Sequence, residues 1–118
     1  MAQVAAALSL NSVAGVGAHQ QALAKLERLE EELDAALSRR KSNGLVRRAV
    51  KAWQRGDIAR AAQLALAATE ADDENAQAFH LLAMALGRMG HAHKSLVTFE
   101  RAFQLDPEDP DLLVNLGL

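Results

Sequence analysis

Few residues in this chain are equipped for chemistry. His91 and His93 stand two apart in "GHAHK", His80 and Arg88 share one apolar-patterned run, and eight basic residues crowd between Arg39 and Arg60 against one acid, Asp57. A protein zinc site takes three or four converging ligands. Two histidines two apart at a helix start point to different faces, the chain has no cysteine, and the turn sets no Asp or Glu beside them, so no metal site is expected. The missing cysteines also exclude a thiol nucleophile and a disulfide framework. No glycine-rich phosphate loop occurs, the serines fall in the first residues or at helix ends and turns, and the carboxylates cluster in loops as solvated caps. Neither catalysis nor a cofactor is therefore expected of this chain, and His80 suits a contact surface, where it can donate or accept a hydrogen bond.

The basic run raises a different chemistry, because cations on adjacent helices can neutralise phosphates. From Ala61 onward the balance reverses to three basic residues and nine acidic ones, and no aromatic platform accompanies the cations. A solvated face with a helix end that complements its dipole is the preferred reading. A nucleic-acid-associated helical domain using residues 39–60 stays as the alternative.

These residues must be positioned by helices. In 118 residues, half of them hydrophobic, one modest core is the default. Ala and Leu dominate, Tyr is absent, and Phe and Trp number three and one, so sheet-forming material is scarce and an all-α fold follows. The first residues lack the cationic start of a secretory signal, and charges break every later apolar run short of a membrane span. A cytoplasmic protein without membrane contact is expected.

Residues 1–18 show no helical period and contain Gly15 and Gly17, so they read as a flexible leader. Its small apolar residues, Val4 to Val16, could fold back as a resident pseudo-ligand. Over 19–41, Ala22, Leu26, Leu29, Leu33 and Ala36 alternate spacings of four and three, with Leu37 flanking, which predicts a long amphipathic helix. Its seam spans little more than two heptads, so packing in cis is preferred over a homodimer through 19–41. Ser42-Asn43-Gly44 predicts a break with Ser42 capping a new helix, whose apolar face is Leu45, Ala49, Ala52 and Trp53. Further helices are predicted over Ile58 to about Ala71, Ala76 to Met89 and Ala92 to Leu105, the last ended by Pro107. Another begins at Pro110.

Shifted against itself by 34 residues, the chain lays Gly56 on Gly90, Leu45 on Phe79, Ala61 on Ser95 and Ala68 on Ala102. Small residues recur where helices must touch. This period resembles the tetratricopeptide repeat, a helix-turn-helix unit of 34 residues. Residues 76–109 match best: Phe79, Leu82, Ala83 and Leu86 stand at the W-x2-L-G-x2-Y positions, Gly90 at the turn, Ser95 and Phe99 at A-x3-F, with Ala102 and Pro107 in register. Residues 42–75 form a degenerate copy, with Ala65 where a large aromatic is expected and Asp73 where Pro is expected. Residues 110–118 open a truncated third copy, with Leu113, Leu116 and Gly117 in register.

The resemblance implies antiparallel helix-turn-helix repeats over 42–118, stacked as a short right-handed solenoid and preceded by the amphipathic helix. It also implies a groove, lined by the first helix of each repeat, that holds a protein or peptide. The groove positions fall on Val46, Arg47, Val50 and Trp53, on Gln77, His80, Leu81, Met84 and Arg88, and on Asp111, Val114, Asn115 and Leu118. The Lys and Asn clamp of chaperone-tail-binding members is replaced by Val46 and Val50, and one asparagine, Asn115, sits where sugar-transferring members carry a ladder. Trp53 reads either as a groove anchor or as core, with core preferred because the helix of 19–41 needs something to pack on; Met84 divides similarly.

"LLVNLGL" is not a polar cap, so an N-terminal piece of a longer protein is expected. Alanine-rich arrays of this style resemble those preceding protein glycosyltransferases and sulfotransferases in bacteria, which makes substrate recruitment, with flagellin as one candidate partner, the expected function. A free-standing scaffold or secretion chaperone is the alternative.

Overall fold

The computed structural model describes residues 14–111, which are all-helical, with no strand among them. The helices are α1 (Ala14–Gln54), α2 (Ile58–Ala71), α3 (Ala76–Arg88) and α4 (Ala92–Leu105). The chain divides into two units, residues 1–36 and 37–118.

Two sequence expectations fail along α1. This helix runs for 41 residues without interruption, so residues 14–18 belong to it rather than to a leader, and Ser42-Asn43-Gly44 does not break it. The rest of the expected leader, 1–13, lies outside the described residues. Glycine at 15 and 17 costs only about 1 kcal/mol each relative to alanine in a helix, and extending an existing helix is far easier than starting one. At Ser42 the cause is tertiary. Its side chain is fully buried; its hydroxyl donates to the Ala68 carbonyl at 2.7 Å and accepts from Asn75 Nδ2 at 2.9 Å. Ser42 therefore joins helices where its type suggested a cap.

In residues 37–111 the turns repeat. Gly56, at φ 80°, ends α1 with its N–H donating to the Trp53 carbonyl while Asp57 N–H reaches the Ala52 carbonyl. Gly90, at φ 87°, ends α3 with the same pair of bonds, to Gly87 and Leu86. Both are Schellman closures, whose left-handed residue glycine adopts without a Cβ clash. Asp57 Oδ1 caps α2 through the Arg60 N–H at 3.1 Å, and Asn75 Oδ1 caps α3 through the Ala78 N–H at 3.3 Å. Asp72 and Asp106, another pair 34 apart, close α2 and α4 by donating their N–H to the Ala68 and Ala102 carbonyls.

The core is made of alanine. Ala49, Ala52, Ala61, Leu64, Ala65 and Leu81 form one buried cluster, against which Leu45, Trp53 and Leu82 pack; Val46, Ala68 and Ala78 form a second. A methyl side chain lets helices approach closely, so dispersion contacts between backbones replace interdigitated bulk. Ser95 serves the same way between α3 and α4, with its hydroxyl donating to the Ala83 carbonyl at 2.7 Å. Arg101 of α4 binds the end of α2 by donating to the Asp73 carbonyl at 3.1 Å, and its guanidinium lies 5.7 Å from the Phe79 ring centroid.

The amphipathic stripe of residues 16–36 is bare in a single chain. Leu23, Leu26, Leu29 and Leu33 are 46–59% exposed. Among the described residues no helix is long and apolar enough to cross a membrane.

Candidate functional site

The groove positions implied by the 34-residue register separate into five fates. Val46 and Leu81 are buried, at 8% and 9% exposure, in the two core clusters. They hold helices together and are removed from the candidate surface, because alanine partners bring the neighbouring backbones too close to leave these side chains free. Arg47 is exposed but lines an open cleft with Lys41, Gly44, Leu45, Arg48 and Lys51, apart from the other predicted groove residues. Val50, Gln77 and Asp111 are exposed. Val114, Asn115 and Leu118 lie outside the described residues.

The remaining residues converge. Trp53, Met84 and Arg88 line a cavity of about 270 Å³ together with Gly87, Ser95 and Phe99. The Arg88 guanidinium sits over the indole, 5.4 Å from its centroid, within cation–π range. Trp53 is half-buried, with its inner side on the alanine core cluster. Trp53 thus packs on the core cluster and also lines the cavity. Phe99 also meets His80, with ring centroids 5.7 Å apart and planes tilted by 60°. His80 Nδ1 approaches Asp109 Oδ2 at 3.5 Å.

The resulting surface has an aromatic and thioether floor, one guanidinium at the rim and an imidazole beside a carboxylate. It can take an apolar side chain next to an anionic group. Gly87 keeps the cavity wall close to α4, since a Cβ there would stand 3.1 Å from Ser95 Oγ. No family model matches this chain, and no curated protein matches it. Among the described residues no three His, Cys, Asp or Glu side chains group as a metal would need. His91 and His93 are exposed, and the side chain of His91 makes no capping bond although it occupies the N-cap of α4.

Phe99 and Ser95 stand at repeat-signature positions in the sequence, and in the structure they also line this cavity. The register set Trp53 and Arg88 on one surface, but it did not specify that the guanidinium would lie over the indole.

Proposed function

We propose that residues 42–118 are a tetratricopeptide-type array that recruits a protein partner, through a surface centred on Trp53, Met84, Arg88 and Phe99. The observation that carries this reading is the recurrence of local structure at 34 residues. Both ends of α2 and α4, the glycine closures at Gly56 and Gly90, the Asp72 and Asp106 caps and the fully buried Ala68 and Ala102 all repeat at that interval. Repeats of this length bury their faces only against neighbours, and the cavity then belongs to a surface shared by consecutive repeats. Its expected ligand is a peptide segment with an apolar side chain next to an acid. Recruitment of an acceptor protein such as flagellin to the catalytic domain of a longer bacterial glycosyltransferase is the wider form of this reading, and a free-standing scaffold or secretion chaperone its competitor.

The test is capture from bacterial lysate on the immobilised chain, compared with a Met84→Ala, Arg88→Glu double variant. Hot-spot anchors typically contribute about 2 kcal/mol or more, so retention of a true client should fall by at least about tenfold. Circular dichroism should show both proteins equally helical. Equal retention by both would move recruitment away from this cavity.

The bare leucines of α1 favour a second role for residues 19–41, as a homodimer seam, since apolar patches left open on a helix mark interaction sites. Sedimentation equilibrium should find wild type dimeric and a Leu26→Glu, Leu33→Glu variant monomeric. Both side chains are more than half exposed, so the variant should keep its helix content. A wild type that stays monomeric as concentration rises removes the seam.

A further inference from the structure

Part of the exposed basic run borders two adjoining clefts. Arg48, Lys51 and Arg55 from α1 and its end, with Arg60 from α2, line a cleft of about 230 Å³ whose floor is Ala52 and Leu64. The open cleft that contains Lys41, Leu45 and Arg47 adjoins it, sharing Arg48 and Lys51. Six cations thus border two connected clefts, and no carboxylate lines either. Asp57, the one acid inside the run, has its Oδ1 on the Arg60 backbone N–H, and the Arg60 guanidinium meets an uncharged partner, Gln63 Oε1, at 3.5 Å. An anion lying among these exposed cations would gain attraction from several of them at once.

The layout also sets the kind of anion. Lys41, Arg48 and Arg55 recur every seven residues, about 10.5 Å per step along one helix stripe, so the ligand is extended or helical. Half-buried Leu45 offers apolar ground beside the charges, while Ala52 and Leu64 beneath them belong to the buried core. No aromatic ring lines either cleft, and Trp53 lies in the separate cavity under Arg88, which leaves nucleobases without a stacking platform.

We propose that these connected clefts dock an acidic segment of a partner protein, carboxylates against the cations and an apolar side chain between them. The site shares no lining residue with the Trp53 cavity and does not depend on the recruitment reading. It gives the chain a second, charge-selective contact surface, used by the same partner or another.

Fluorescence anisotropy on the full chain tests it, with a labelled twelve-residue peptide of Glu-Glu-Leu repeats as probe and single-stranded and duplex DNA as competitors. Saturable peptide binding is expected, falling by at least about tenfold in an Arg48→Glu, Lys51→Glu variant. An Arg39→Glu, Lys94→Glu variant carries the same charge change outside the clefts and should bind within about twofold of wild type. Equal losses in the two variants would reduce the effect to net charge and overturn the site. So would the absence of saturable binding, or tighter binding of either DNA than of the peptide. Loss confined to the Met84→Ala, Arg88→Glu variant would place the acidic segment in the Trp53 cavity, ending this proposal and leaving recruitment intact.

Discussion

Replacing Asn75 by alanine is expected to lower the stability of residues 37–111 by about 2–3 kcal/mol, which for a domain of this size is a fall of about 10–20 °C in melting temperature. The side chain is 9% exposed, and the hydrogen-bonding capacity of its amide is engaged on both sides. Its oxygen caps α3 at Ala78, while its nitrogen donates to Ser42 Oγ at 2.9 Å and Asn43 Oδ1 at 3.0 Å. A lost cap costs about 1 kcal/mol, and each lost buried bond about as much again. Asn75→Asp separates the two parts, because a carboxylate still caps α3 but turns an acceptor toward Ser42 Oγ and Asn43 Oδ1. It should recover only the capping share. Thermal melts followed at 222 nm decide, and an unchanged midpoint for Asn75→Ala would mean that this network does not join α1 to the rest.

Ala65→Phe should cost about 3 kcal/mol, although phenylalanine is the residue that the resemblance leads one to expect there. Ala65 is fully buried, in a cluster with Ala49, Ala52, Ala61, Leu64 and Leu81. Overpacking a filled site costs about 1–3 kcal/mol, occasionally more, and a benzyl group inserted between alanine contacts must separate helices along their length. Ala59→Phe on the exposed side of the same helix is the control, expected within about 0.5 kcal/mol of wild type. Urea titration reads both. A stabilised Ala65→Phe would show that the alanine leaves a vacancy that the aromatic fills.

The helices after Gly56 were legible because their signals are local. The glycine turns, Pro107 after α4 and the 3.6-residue period together bracket α2, α3 and α4 to within a residue. The continuity of α1 was hidden for the opposite reason. Ser42, Asn43 and Gly44 are weak helix formers, and the bonds that hold Ser42 in a helix come from Ala68 and Asn75, dozens of residues away. Register placed Met84 and Arg88 on a shared surface, yet it also placed Val46 and Leu81 there, since periodicity records direction and not the distance at which a neighbour arrives. The leucine seam was legible as a stripe. Whether another surface covers a stripe depends on where the rest of the chain goes, and no pattern within 19–41 encodes that.

The alanine contacts also bear on how this sequence can change over generations. Ala49, Ala61, Ala65, Ala68, Ala78, Ala83, Ala85 and Ala102 have no exposed surface. At such sites a larger side chain collides and a polar one loses its water, so the accessible substitutions shrink to glycine and to serine with a carbonyl in reach. Ser42 and Ser95 are what that second exchange looks like, each spending its hydroxyl on a facing alanine carbonyl. Around Leu23, Leu26, Leu29 and Leu33 the constraint is one of oiliness alone, which isoleucine, methionine or valine satisfies. Drift in descendants of this chain should therefore run quickly along residues 16–36 and nearly stall at the alanines, so that its lineage is recorded in its smallest side chains.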